Sequence, residues 1–214
     1  MTLQDAYLLT PEIAIAGLAL IVILLDLVFK DKRIIFAVAI LGLFVPLSLT
    51  WMLLGDVQAC QNSAPDGFLA DSCSGGHLTA IFGTLAVDQF ALFFKTLVLA
   101  IVFIVFLGSF DYIKRIHSLQ GEFYTLILLS TLGAMLLPAT TELVSIYISL
   151  ELIALPLVAL ATFLRDSRSS EAGMKFLVLG AISSALLLYG MALVLAYTGS
   201  TDLKVIASAT YESK

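Results

Sequence analysis

Charge is scarce in this chain. Only 13% of its 214 residues are Asp, Glu, Lys or Arg, against 60% hydrophobic, and the mean hydropathy is +1.06. A soluble domain cannot cover its core with so little polar surface, so the balance points to lipid as the solvent. The 11 Lys and Arg, outnumbered by 16 Asp and Glu, are too few and too scattered to neutralise phosphates, which excludes a nucleic-acid partner. Cysteine is nearly absent as well: Cys60 and Cys73 are the only two, both in one polar stretch. No CxxC pair or His/Cys cluster has ligand spacing, so a metal site has no support. Residues 1–11 lack the basic start and small-residue cleavage site of a signal peptide. The first apolar segment is therefore read as a retained span.

What the chain has in abundance is apolar runs long enough to cross about 30 Å of hydrocarbon. Six are placed, near residues 9–29, 34–54, 89–110, 123–139, 143–164 and 173–197. They are continuously apolar rather than alternating, which excludes a β-barrel and predicts an all-α membrane protein of six transmembrane helices.

The cations alternate between connections. Lys30, Lys32 and Arg33 follow span one, Lys114 and Arg115 follow span three, and Arg165 and Arg168 follow span five. Residues 55–88 and 138–142 contain no Lys or Arg. By the positive-inside rule the N-terminus and the 55–88 loop face outward. That loop holds Pro65, Gly67, Gly75 and Gly76 among Ser and Asn residues, and is expected to be a flexible excursion with little core of its own. Cys60 and Cys73 lie on its oxidising side. They could close a short disulfide loop or remain two thiols; the bridge is the favoured reading.

Most charges sit at span ends. Asp26 precedes Lys30 by one helical turn, and both can snorkel to the inner interface. Asp88 and Lys95 share a face of span three, and Lys95 either snorkels outward or faces the bundle. His77 and His117 read as solvated loop residues. Glu151 differs. It lies nine residues after Glu142 and fourteen before Arg165, roughly 13 and 21 Å from the two helix ends, too deep for its short side chain to reach water. A carboxylate at that depth costs about 2–3 kcal/mol or more unless it faces a partner or a polar cavity, which makes it the leading functional candidate over a merely structural, protonated Glu. Pro156 has no N–H for the carbonyl of Leu152, next to Glu151, and could bend the helix there. Lys175 is the second candidate. Glu171 sits four residues before it, so a surface ion pair explains it equally well. Ser169 or Ser170 is expected to cap that helix. Gly180, Ala181, Ser183, Ser184 and Ala185 are small enough for close helix approach, and the two hydroxyls could bond across it.

Residues 121–202 carry a resemblance. GEFY at 121–124, STLGAM at 130–135, YISLELIALPL at 147–157 and RSSEAGMKFLVLGAISSALLLYG at 168–190 closely resemble the N subunit of bacterial respiratory complex I, the proton-translocating NADH:quinone oxidoreductase. LLTPEIAIAGLALIVILLDL at 8–27 and LAVDQFALFFK at 85–95 fit too, while the 55–88 loop adds little. The resemblance implies an antiporter-like membrane-arm subunit taking part in proton translocation coupled to electron transfer from NADH to quinone. It places Glu151 on the family's span-five glutamate and Lys175 on its span-six lysine. It implies no redox cofactor on this chain, and the sequence has no GxGxxG or haem motif. It implies other complex I membrane-arm subunits as partners, in a bacterial inner membrane. Family members have about fourteen helices in inverted repeats. The six spans here correspond to the N-terminal part of that fold: residues 1–122 as three helices, 123–199 as the start of the first repeat, and 200–214 as a polar, truncated stretch. The alternative readings are a cation/proton antiporter or membrane-hydrogenase subunit of the same fold, or a structural remnant without its own channel.

Overall fold

The computed structural model describes residues 3–28, 32–62, 73–74, 77–81, 83–113, 120–164 and 166–212. In hydrocarbon every backbone N–H and C=O must be bonded within its own segment, so the apolar runs fold as helices. The spans are α2 (Thr10–Val28), the pair α3 (Lys32–Gly42) and α4 (Phe44–Gln61), α5 (Gln89–Ile113), α6 (Gln120–Leu136), α7 (Leu143–Ala161) and α8 (Ser167–Thr198). Two short helices, α1 (Leu3–Leu8) and α9 (Leu203–Glu212), flank them.

Span two is broken, which the sequence pattern did not announce. Pro46 offers no N–H to the carbonyl of Gly42, and Leu43 is a turn whose N–H reaches the Ile40 carbonyl at 3.2 Å. The break lies against α2, close to Leu18. At the centre of the bundle α2 and α6 pack together. Ile15, Leu18 and Val22 meet Tyr124, Leu128 and Met135, with Ile35 from α3 and Phe106 from α5 closing the sides.

A second core lies at one end, where a loop of little core was expected. Residues Cys73–Ser74 (β1), His77–Ala80 (β2) and Leu85–Val87 (β3) form an antiparallel sheet in the order β1-β2-β3. Leu78, Ala80, Leu85 and Val87 alternate inward onto Leu8, Leu53, Val57, Leu92 and Ala139. A disulfide joins Cys60, at the end of α4, to Cys73 in β1, with Cα atoms 6.0 Å apart.

Backbone pairs then belt this end together. The Thr141 N–H bonds the Thr84 carbonyl at 3.0 Å, Leu203 N–H bonds the Thr141 carbonyl at 3.1 Å, and Leu143 N–H bonds the Thr201 carbonyl at 3.0 Å. The N-terminal helix α1, the sheet, the α6–α7 link and the segment after α8 therefore share one face, called here the sheet face. This is the alternation that six spans require. The polar stretch expected after residue 200 is helical over Leu203–Glu212, started by Asp202, whose Oδ1 accepts from the Lys204 N–H at 2.7 Å. Lys30, Lys114, Arg115, His117 and Arg165 lie outside the described residues, and with them the Asp26–Lys30 contact; Asp26 itself packs against Gly121 of α6.

Candidate functional site

Glu151 falls at the midpoint of α7, the ninth of its 19 residues. The face that carries it turns toward α8, and there the hydroxyl of Ser184, near the midpoint of that 32-residue helix, donates to its Oε1. Tyr147 stands one turn earlier on the same side of α7. The acid thus sits half-buried at mid-membrane, held by the Ser184 hydroxyl. Of the small residues singled out in span six, Ser184 makes this contact and Ser183 is exposed.

The opposite face of α7 is fixed against α6. A Cβ on Gly133 would stand 2.8 Å from the Ser149 carbonyl oxygen and 2.9 Å from the Ile153 nitrogen, so the two backbones touch there and only glycine fits. Ser130 Oγ donates to the Ile153 carbonyl at 3.2 Å, in the turn that Pro156 deprives of an N–H. Pro156 is buried, and α7 stays helical through it.

Lys175 is not brought to Glu151. Its Nζ lies 2.6 Å from Glu171 Oε1, with the two side chains 70% and 65% exposed, the i,i+4 surface pair that the spacing allowed. It stands nine residues before Ser184, about 13 Å along the helix. Helix α8 begins earlier than expected, and its cap is Asp166, not Ser169 or Ser170. Asp166 Oδ1 accepts from the Ser169 N–H at 2.7 Å, and hydrogen bonds from the Ser169 side chain and backbone hold that carboxyl below its ordinary range. Of the whole of α8 only Gly173 is buried, against Thr162, so Met174, Ile182, Leu186 and Tyr189 stand exposed and apolar.

Sequence reasoning missed a second charged centre. Lys95, left between snorkelling and facing the bundle, is fully buried, and its Nζ lies 2.6 Å from Oε1 of Glu12, which is 4% exposed. Glu12 is the third residue of α2 and Lys95 the seventh of α5, so the lysine stem reaches back toward the sheet face to meet it. Asp88 does not compete for it: its Oδ1 accepts from the Ala91 N–H at 2.7 Å and starts α5. The available signal was a Glu directly after Pro at a helix start, 83 residues from its partner. Among the described residues no group of three or more His, Cys, Asp or Glu gathers as a metal-ligand set.

Six helices are long and apolar enough to cross a membrane, and α7 carries an acid at its midpoint. Residues 140–214 match the family described as NADH:quinone oxidoreductase/Mrp antiporter, transmembrane. Over nearly its full length the chain is similar to proteins named NADH-quinone oxidoreductase subunit N. It is 36% identical to that of Moorella thermoacetica over 97% of this chain and 40% of the relative. It is also 36% identical to that of Dehalococcoides mccartyi over 92% of this chain and 37% of the relative. A solved chain of respiratory complex I from Thermus thermophilus superposes with a TM-score of 0.65 at 30% identity, covering 90% of this chain and 38% of that one. A chain of an archaeal membrane-bound sulfane sulfur reductase superposes at 0.73 with 23% identity, which shows the fold alone. The chain spans about two fifths of the length of these relatives.

Proposed function

We propose that this chain forms part of a membrane-arm subunit of a proton-translocating NADH:quinone oxidoreductase, with Glu151 as a group that takes up and releases protons. The observation that carries the reading is the placement of Glu151. An acid at mid-membrane is costly to keep, and it is kept here against the Ser184 hydroxyl, on a helix whose other face is locked to α6. A hydroxyl suits such a role because it can donate to the carboxylate or accept from the acid, so both protonation states find a partner. A cation drawing near favours the charged form and its departure favours the acid, so movement of charge elsewhere in the complex would drive uptake and release.

Lys175 is the second residue proposed for this path. The exposed side of α8 is where further helices would meet it, and Glu171 holds its ammonium until then. On this reading the chain is one part of a translocase and carries no redox step or cofactor. Its neighbours are other membrane-arm subunits and bilayer lipid in a bacterial inner membrane, with the sheet face outside.

The test is Glu151→Gln in the full-length subunit of the intact complex. Gln keeps the shape and the hydrogen bond to Ser184 but cannot titrate. Proton pumping per NADH oxidised is expected to fall while the complex still assembles. Normal pumping by that variant would overturn the assignment.

A further inference from the structure

Two cavities run end to end along the seam between α4 and α5. One, of about 180 Å³, starts at Gln89, the first residue of α5, beside the sheet face. The other, of about 390 Å³, ends at Phe44 and Phe103. Trp51 and Thr96 line both, so the two form one groove. From Gln89 to Phe103 it follows α5 for about 21 Å. Leu43, the turn residue at the break in span two, and Leu99 are buried and floor its inner half. The Phe44 and Phe103 rings meet edge to face at 5.9 Å and close that end.

Three features define what fits. The wall is nearly all carbon, because Thr50 and Thr96 donate to the Pro46 and Leu92 carbonyls of their own helices, at 2.8 and 2.9 Å. A peptide, an ion or a quinone ring would leave its polar groups unsatisfied there. The rims are bulky, with Phe44, Trp51 and Phe93 exposed. Helices in hydrocarbon approach one another through small residues, as α6 and α7 do at Gly133, so these aromatics hold a neighbouring helix off. The length suits an extended alkyl chain: at about 1.3 Å per bond, roughly sixteen carbons span the groove.

We infer that this seam is a binding site for one acyl chain of a bilayer lipid. The headgroup lies beside Gln89 on the sheet face, and the methyl end rests against the Phe44–Phe103 pair. Lipid tails are as apolar as leucine, so exclusion from water does not hold the chain. Contact does: a floor and two walls touch an extended chain along its length, whereas a plain helix face touches fluid lipid from one side. The inference stands whether or not Glu151 moves protons.

Photolabelling of the full chain in phosphatidylcholine vesicles tests this. The probes are two phosphatidylcholines with a diazirine in one acyl chain, midway along it in the first and at the methyl end in the second. A seated chain has a register. The mid-chain probe is expected to mark Trp51 and Thr96 about tenfold more than Met52 and Leu97, and the end probe to mark Leu99 and Phe103 about tenfold more than Ile104. Met52, Leu97 and Ile104 each directly follow a groove residue, are exposed, and lie outside the groove. Equal marking of groove and control residues, or one pattern from both probes, would show fluid lipid alone and overturn the inference. Marked controls with an unmarked groove would show it closed or filled by protein, and would overturn it too. Ala100 is exposed on the groove wall, so Ala100→Phe fills the inner half from outside the core. It should cut end-probe marking of Leu99 and Phe103 about tenfold and leave Ile104 unchanged, and undiminished marking would place the chain outside this groove. Where that variant fails to fold, the register of the two probes in the unaltered chain decides alone.

Discussion

Glu12 and Lys95 together illustrate how unequal the two halves of a buried ion pair are to read. Removing one partner strands the other charge in a site with 0–5% side-chain exposure. Lys95→Ala or Glu12→Ala alone is therefore expected to destabilise the bundle by about 3–5 kcal/mol, and Glu12→Leu with Lys95→Met together to recover most of that loss. Unfolding of the detergent-solubilised chain measures both, and a double variant as unstable as the singles would refute the pairing energetics. Asp166 offers a titration outside the membrane. Its carboxyl is held below the ordinary value of 3.8, so the folded state gains from the charged form. That gain is complete above the ordinary value and is lost as pH falls through the lowered one. Exchange of the first-turn amides of α8 should accelerate as pH drops below about 4, beyond the intrinsic rate change, and Asp166→Ala should abolish that extra dependence. Glu151 was legible from depth alone, because nine residues on one side and fourteen on the other leave its side chain nowhere to snorkel. Its contact with Ser184 was less so: Ser184 stood out only as one small residue in a row of them, and the pairing depends on which face of α8 meets α7.

The helices themselves follow from composition, and all six spans fall where unbroken apolar runs placed them. What composition hides is how each helix is bent or held. Span two breaks at Leu43 because Pro46 removes one hydrogen bond, yet hydropathy averages smoothly across the break. The sheet was missed for a related reason: strands of 2–4 residues are too short to show alternation amid Gly, Pro and Ser. Gly133 gives the sharpest prediction at this scale. Its neighbours at 2.8 and 2.9 Å are backbone atoms of α7, which cannot swing aside. Gly133→Ala should therefore cost about 1–3 kcal/mol through forced separation of α6 and α7. Gly17→Ala on α2, with nothing within 4 Å, should leave stability unchanged or slightly raised. Thermal unfolding of the two variants side by side checks the contrast, and equal behaviour would deny the close contact.

Across the whole molecule, packing is graded. The α2–α6 centre is dense, α7 leans on α6, and α8 touches little more than α7. The sheet face counters this looseness, since one belt of backbone pairs links the disulfide-stapled sheet to the starts of α7 and α9. Replacing both Cys60 and Cys73 by Ser opens a 13-residue closure, for which a loss of about 2–4 kcal/mol is expected. Hydrogen exchange should rise at residues 77–80 and 140–143 and stay flat at the α2–α6 centre. Uniform loosening would show that the belt does not localise the effect. The distance along the chain between Glu12 and Lys95 has a consequence for biogenesis. During synthesis α2 enters the bilayer 83 residues ahead of Lys95, so at about 5–20 residues per second its acid waits roughly 4–17 seconds for a counter-ion. Glu12 tolerates the wait because it is only the third residue of α2, close to the headgroups, whereas the cation that must be sheltered, set deeper in α5, arrives second and finds its partner already in place.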